Sequence, residues 1–252
     1  MPRTARNLVN SGFYHIMIRG VNRDIIFKDG EDRKLFLRLL RYYIKKFDCK
    51  VHAYCLMDNH VHILFEDKEF WISVFMRELS SHYAREFNKK YKRVGHLFQE
   101  RFRSETVYNE GYLLRLIRYI HRNPEKAGIC KTENYKWSSY KQYIYKCSII
   151  EKSYVLSKFS SNYDKSIKEF EKFVLDKKED GIDKLYFSKN LTDEQAIELI
   201  KYETGINEIT EIKNYKKEKR NKVLAEILEI KNLNSSQIAR VLKIGKNFKI
   251  RI

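Results

Sequence analysis

Two histidines separated by one residue, His60-Val61-His62, stand in a short run rich in β-branched and aromatic residues that reads as a strand. Side chains alternate across a strand, so both imidazoles share one face while Val61 and Ile63 point to the other. Imidazoles one pleat apart can hold a divalent cation between them and leave coordination positions open for substrate oxygens. On spacing alone, the commoner reading is a pair of solvated or hydrogen-bonded histidines on a half-exposed strand. A third ligand is needed to lift the metal reading above it.

One candidate stands in Tyr119-Ile120-His121-Arg122-Asn123. At helical spacing, Leu113, Leu116, Ile117 and Ile120 form a buried arc. Tyr119 and Asn123 are one turn apart and emerge side by side. Arg115 and Arg122 lie further round the same edge, and His121 falls on another side as a packing or surface residue. By position alone, Tyr119 is one amphipathic tyrosine among 18, and Asn123 is a helix C-terminal residue of a favoured type. If the helix crosses the hairpin that carries the histidines, the reading changes. Asn123 then offers an amide oxygen beside His60 and His62, a donor set suited to Mg²⁺ or Mn²⁺ shared with a phosphate oxygen. Such an ion acts as a Lewis acid on a scissile phosphodiester, and Tyr119 becomes the nucleophile of a covalent step. A tyrosine ester keeps the phosphodiester energy, so a second DNA end can reverse the step and rejoin strands. Simple hydrolysis would not need Tyr119.

The elements that must position these groups follow in a recognisable order. Phe13 to Arg19 reads as a strand, and Glu31 to Phe47 as an amphipathic helix with Leu35, Phe36, Leu39, Leu40, Tyr43, Ile44 and Phe47 on its apolar side. Lys50 to Met57 and His60 to Phe65 are two strands joined by Asp58-Asn59, a polar pair tolerant of positive φ that favours a tight hairpin. Trp71 to Phe87 is helical, Arg101 to Tyr108 a further strand, and Gly111 to Arg122 a helix that must stop by Asn123 because Pro124 disfavours helical geometry before it. The order β-α-β-β-α-β followed by a helix predicts an α+β, ferredoxin-like split βαβ fold, an antiparallel sheet with helices on one face. That fold hosts many functions, so function has to come from the site.

Composition narrows the partners. The 252 residues carry 51 Lys and Arg against 33 Asp and Glu, a net charge of +18, with a pI of about 9.6. Most of the excess falls in residues 1–150. So large an imbalance points to a polyanion, nucleic acid or an anionic membrane surface. No apolar run approaches the ~20 residues of a spanning helix, and no signal region opens the chain, so no membrane is expected. The four cysteines show no CxxC spacing, which indicates neither a zinc knuckle nor a disulfide framework. A soluble, nucleic-acid-facing protein of a reducing compartment is expected.

The motifs also carry a resemblance. Leu56-Met57-Asp58-Asn59-His60-Val61-His62 together with Tyr119-Ile120-His121-Arg122-Asn123-Pro124 resembles the HUH single-tyrosine transposases, and most closely the REP-associated tyrosine transposase branch of bacteria. Supporting stretches are Tyr14 to Gly20 with Asn22-Arg23 and Ile26-Phe27, Gly95 to Ser104, and Trp137-Ser138-Ser139-Tyr140. The similarity runs from about Pro2 to Tyr145. It implies that His60 and His62 are the paired metal ligands, Tyr119 the nucleophile and Asn123 the last ligand, where related insertion-sequence enzymes have glutamine. It also implies a divalent metal, Mg²⁺ or Mn²⁺, and cleavage and rejoining of single-stranded DNA through a 5′-phosphotyrosine, with binding to a hairpin beside the cut. Related enzymes act as monomers or homodimers. A cytoplasmic, nucleoid-associated location in a bacterium goes with this reading.

Candidate DNA-holding residues are Arg3 and Arg6 in a basic arm, Arg19 and Arg23 after the first strand, Arg101 and Arg103 on one face of the last strand, and Arg115 and Arg122 on the helix edge. The catalytic domain is placed at 1–148 and a helical, all-α C-terminal region at 149–252. In that region Thr192-Asp193-Glu194-Gln195 has capping-box spacing, and residues of about 217–252 resemble an incomplete helix-turn-helix with only Lys246 to Ile252 left for a recognition helix. A plain bundle that props the catalytic domain fits as well. Two rival functions remain at this level: an HUH nickase without strand transfer, and a domesticated DNA-binding protein that does no chemistry.

Overall fold

The computed structural model describes residues 12–67, 69, 71–107, 110–145, 149–177, 193–206, 208–228, 230, 233 and 235–244. Arg3, Arg6, Tyr108, Thr192 and Lys246 to Ile252 lie outside these residues. So does the recognition helix expected at the C-terminus. The chain divides into two compact units, Met1–Lys178 and Glu179–Ile252.

The first unit is built on a four-stranded sheet: β1 (Phe13–Arg19), β2 (Lys50–Met57), β3 (His60–Glu66) and β4 (Arg103–Thr106). The order is β2-β3-β1-β4, and every neighbouring pair is antiparallel, as the split βαβ reading requires. Alternation sorts the strands into two faces. Tyr14, Ile16, Ile18, Val61, Ile63 and Phe65 share the face covered by helices α1 (Gly30–Phe47) and α2 (Ile72–Lys90). Phe65 and Phe75 meet there with ring centroids 4.6 Å apart, and Phe27, Phe36 and Tyr83 close the far end with ring centroids 5.2–5.5 Å apart. Phe36, Phe65 and Phe75 are fully buried, each contributing roughly 1.5–3 kcal/mol by leaving water. Helix α1 opens on a reciprocal cap, with Asp29 accepting from the Asp32 amide and Asp32 from the Asp29 amide. Lys90, at the end of α2, reaches both carboxylates at 2.7 Å.

The hairpin between β2 and β3 is the expected two-residue turn, since Met57 pairs with His60. Neither Asp58 nor Asn59 has a positive φ, contrary to the sequence expectation. The turn is held from outside instead. The Asp58 carbonyl accepts from the amides of Ile26 (2.8 Å) and Phe27 (3.1 Å), and the Asn59 carbonyl from Gly20 (2.9 Å). The Arg33 guanidinium donates to the Asp58 carboxylate. Gly20 is where β1 turns into this contact. A Cβ there would stand 2.2 Å from the Asp24 carbonyl oxygen and 2.9 Å from Ile26, so no larger residue fits.

Helix α3 (Glu110–Lys126) lies over the opposite face of the sheet, with Tyr119 beside His62 and His15. It differs from the sequence reading in its end. The helix runs through Pro124 rather than stopping at Asn123. A proline this near the C-terminus forfeits a single backbone bond, and the turn is completed by the Ala127 amide donating to the Asn123 carbonyl at 3.0 Å. The left-handed Gly128 then ends it. Strand β4 is shorter than expected, so Arg101 precedes the strand rather than sitting in it.

The edge of β2 is covered by the Trp137-Ser138-Ser139-Tyr140 stretch. The Leu56 amide donates to the Trp137 carbonyl (3.0 Å), the Ser139 amide to the Tyr54 carbonyl (2.9 Å), and the Tyr54 amide to Ser139 Oγ (2.9 Å). His121, on the back of α3, is 2.8 Å from the same Ser139 hydroxyl. Helices α4 (Tyr140–Ile144), α5 (Ser153–Leu156) and α6 (Tyr163–Leu175) complete the unit. Phe170 of α6 stacks on Tyr143 at 4.1 Å, and Arg118 of α3 lies 4.5 Å from the Phe173 ring. These contacts correct the expected boundary at 148, since residues 149–177 are part of the first unit.

In the second unit, α7 (Asp193–Thr204), a 3₁₀ turn (Ile209–Asn214), α8 (Lys217–Leu228) and α9 (Ser235–Val241) surround a core that includes Ile200, Ile212, Leu224, Ile227 and Ile238. This is the all-α region read from the sequence. Arg240 pairs with Asp193 at 2.6 Å. Among the described residues no helix is long and apolar enough to cross a membrane.

Two outcomes follow. His121 is fully buried, and loss of solvation pushes its pKa down to about 3. It is neutral in the fold, whereas the unfolded chain takes up its proton near pH 6.5. Stability is therefore present above about pH 6.5 and is lost as pH falls towards 3, at up to about 1.4 kcal/mol per pH unit. His121→Gln should remove that share. Urea denaturation at about pH 7.5 and about pH 5.5 should show the wild type losing about 1.4 kcal/mol more than the variant. Gly20→Ala should lower stability in urea by about 1–3 kcal/mol, the usual cost of overpacking, and an unchanged midpoint would contradict the close approach described above.

Candidate metal and DNA-processing site

The sheet face under α3 is built by pairing across three strands. Met17 and Cys55 flank His62, and Arg19 and Met57 flank His60. One face therefore presents His15, Arg19, His60 and His62 together. The imidazoles of His60 and His62 stand 4.9 Å apart by ring centroids, at 88° to one another. His62 is 2% exposed and His60 half-buried.

Tyr119 faces this pair. Its ring centroid is 5.5 Å from that of His62 and 6.2 Å from that of His15, and the residue is 4% exposed. One turn later, the Asn123 side chain hydrogen-bonds His60. Asn123, placed by sequence beside Tyr119, thus reaches the histidine pair. The four residues singled out for metal and nucleophile converge within one chain.

The electrostatics keep the imidazoles uncharged. Burial lowers the His60 pKa to about 4, helped by the nearby Arg19 guanidinium and opposed by the bond to Asn123. His62 is held well below its ordinary value by burial and by the neighbouring His15, His60 and Arg19. Neutral imidazole is the form that ligates metals. The Nδ1–H of His60 donates to the Asn59 amide oxygen at 2.6 Å, and Nδ1 of His62 is 3.0 Å from His15 Nε2. Nδ1 of each ring is thus engaged by a protein group. Among the described residues no three His, Cys, Asp or Glu side chains form a ligand cluster. The set here is two imidazoles and an amide, which fits an ion that keeps other positions for phosphate oxygens.

A basic rim adjoins the pair. Arg19, Arg101 and Arg103, with Met17, Gln99 and Glu100, line a recess of about 40 Å³. The rim is fixed by backbone bonds from Gln99 N to Arg19 O and from Val21 N to Leu97 O, both at 3.0 Å. Partial burial lowers the Arg19 pKa, as do the charges of Arg23 and Arg103, while Tyr119 opposes them. Arg23 is exposed in a left-handed turn, with φ of 64°. Arg101 and Arg103 share the recess although only Arg103 is in the strand.

Arg115, one turn before Tyr119, is half-buried. Arg122 departs from expectation. It is 8% exposed, and its guanidinium donates to the Asp176 carbonyl at 2.7 Å, so it fastens α3 to the chain after α6 rather than facing DNA. Two contributors escaped the sequence reading. His15 shares strand parity with Arg19, a sign that becomes meaningful only once the β1–β3 register is known. Lys126, seven residues after Tyr119, places its ammonium 4.8 Å from the Tyr119 ring centroid, a helical spacing that could have flagged it.

A family model described as "Transposase IS200 like" matches residues 8–123. No curated protein matches the sequence. A solved structure titled "Structure of the REP associates tyrosine transposase bound to a REP hairpin" is similar over 61% of this chain and 96% of that chain, at 16% identity and a TM-score of 0.47. The segment matched by the family model takes in β1 to β4 and closes on Asn123, so it contains both histidines, the tyrosine and the amide. Over residues 8–123 this chain is therefore similar to the IS200-like transposase family.

Proposed function

We propose that this protein is a transposase that cuts and rejoins single-stranded DNA through a 5′-phosphotyrosine on Tyr119. The observation that carries the reading is the meeting of Tyr119 with His62, and of Asn123 with His60, on one face of one sheet.

In the cleavage step, the Tyr119 phenol oxygen attacks the scissile phosphorus. The phenol loses its proton, the bond to the 3′ oxygen breaks, and that oxygen leaves as a hydroxyl. In the joining step, the 3′ hydroxyl of a second strand attacks the phosphotyrosine, and the phenol is restored. His60 Nε2, His62 Nε2 and the Asn123 amide oxygen would hold a Mg²⁺ or Mn²⁺ ion, which when bound supplies Lewis acidity towards the phosphate oxygens. Arg19, Arg101 and Arg103 would grip the backbone on one side of the cut, with Arg23 at the rim. Arg115 remains a candidate contact on the helix. Burial of Tyr119 keeps bulk water from the ester, which favours strand transfer over the hydrolytic outcome of a nickase. Because nucleophile and ligands meet within one chain, no second copy is needed to supply the tyrosine. A hairpin beside the cut is the expected binding partner, and a monomer suffices for the chemistry.

Incubating the protein with single-stranded DNA flanking its own gene and Mn²⁺ should yield a covalent adduct. Tyr119→Phe should abolish it while leaving hairpin binding within about twofold, since the ring and its packing survive. An adduct in that variant would mean another nucleophile is at work, and EDTA-resistant cleavage would remove the cation from the reading. Replacing Arg101 and Arg103 by Ala should weaken binding of all sequences alike and reduce the salt slope by about 1 for each phosphate left unneutralised.

A further inference from the structure

We infer that His15 is a positioning residue that sets the tautomer of His62, and so determines that Nε2 of His62 presents a lone pair to the cation site. The inference rests on the metal reading of His60 and His62 and adds to it a residue outside the ligand set.

His15 and His62 stand on neighbouring strands. Met17 pairs directly with His62, which places His15 on the diagonal of the same face. Their rings lie nearly parallel, 19° apart with centroids at 5.2 Å, and Nε2 of His15 is 3.0 Å from Nδ1 of His62. Each residue is 2% exposed. Two neutral imidazoles that meet nitrogen to nitrogen need one N–H and one lone pair between them. If His62 donates from Nδ1, its Nε2 keeps a lone pair and can ligate. If His15 donates from Nε2, the proton of His62 must sit on Nε2, and that ring cannot bind a cation.

The neighbouring ligand shows which arrangement the site is built for. His60 Nδ1 meets the Asn59 amide oxygen at 2.6 Å, and an amide oxygen only accepts, so a neutral His60 donates from Nδ1 and keeps its lone pair on Nε2. The same pattern at His62 makes His15 the acceptor, with its own proton on Nδ1. An outer acceptor of this kind typically tunes metal affinity by 10–100-fold. In water a free histidine side chain favours the opposite, Nε2–H form, so the acceptor has work to do.

Nitrogen-15 NMR of the metal-free, full-length protein reads the tautomers directly. His60, His62 and His15 should all appear as Nδ1–H. A His62 in the Nε2–H form would overturn the inference, whatever the metal does. Mn²⁺ affinity gives a second readout. His15→Phe keeps an aromatic ring but removes the acceptor, and should weaken Mn²⁺ binding by about 10–100-fold. His15→Gln returns an acceptor oxygen and should recover most of that loss. Equal Mn²⁺ affinity in the wild type and the phenylalanine variant would refute the role. A wild type that binds no Mn²⁺ would instead sink the metal reading, and the tautomer measurement would still decide what His15 does. If His15→Phe fails to fold, the wild-type spectrum decides alone.

Discussion

Strand register is the constraint on which the site depends. Sliding β3 by one residue against β1 would turn His60 and His62 away from α3 and bring Val61 and Ile63 in their place. The opposite face is packed with Ile16, Val61, Ile63 and Phe65 against α1 and α2, so such a slip would expose those side chains to water and bury imidazoles among phenylalanines. The hairpin turn is also anchored by Gly20, Ile26, Phe27 and Arg33 from outside the two strands. Core packing and turn anchoring therefore enforce the same register. The geometry of the histidine pair is a by-product of how the rest of the sheet satisfies itself.

Much of this was legible from local pattern. Alternation identified β1, β2 and β3, and helical spacing placed α1, α2 and α3 with Tyr119 and Asn123 side by side. What escaped depended on contacts distant in sequence. Arg122 looks like a surface cation until the chain after α6, more than fifty residues on, offers a carbonyl for its guanidinium. The boundary at 148 follows the end of the resemblance near Tyr145, yet Phe170 and Phe173 beyond it supply the rings that pack on Tyr143 and Arg118. Pro124 marks a local stop, but a proline in a last turn costs too little to end a helix that Gly128 can finish. The Asp58-Asn59 pair predicted a tight turn correctly, while its positive φ was unnecessary because external hydrogen bonds held the loop.

The accessory stretches of the sequence divide by role. The Trp137-Ser138-Ser139-Tyr140 stretch seals the edge of β2, where unpaired backbone would otherwise be open to another chain, and its second serine also receives His121 from α3. The Gly95 to Ser104 stretch does both jobs, since its backbone closes against the end of β1 while Arg101 and Arg103 stand over the recess. A motif can thus serve a site by supporting it or by supplying it, and the backbone partners distinguish the two.

Helix α3 is clamped on two sides. His121 ties it to the segment that seals the sheet, and Arg118 and Arg122 tie it to α6 and the chain beyond. A strand esterified to Tyr119 would consequently have a fixed platform beneath it, with only the two side-chain torsions of the tyrosine as a swivel. On the proposed reading, exchange of one DNA end for another would move the nucleic acid over a stationary protein.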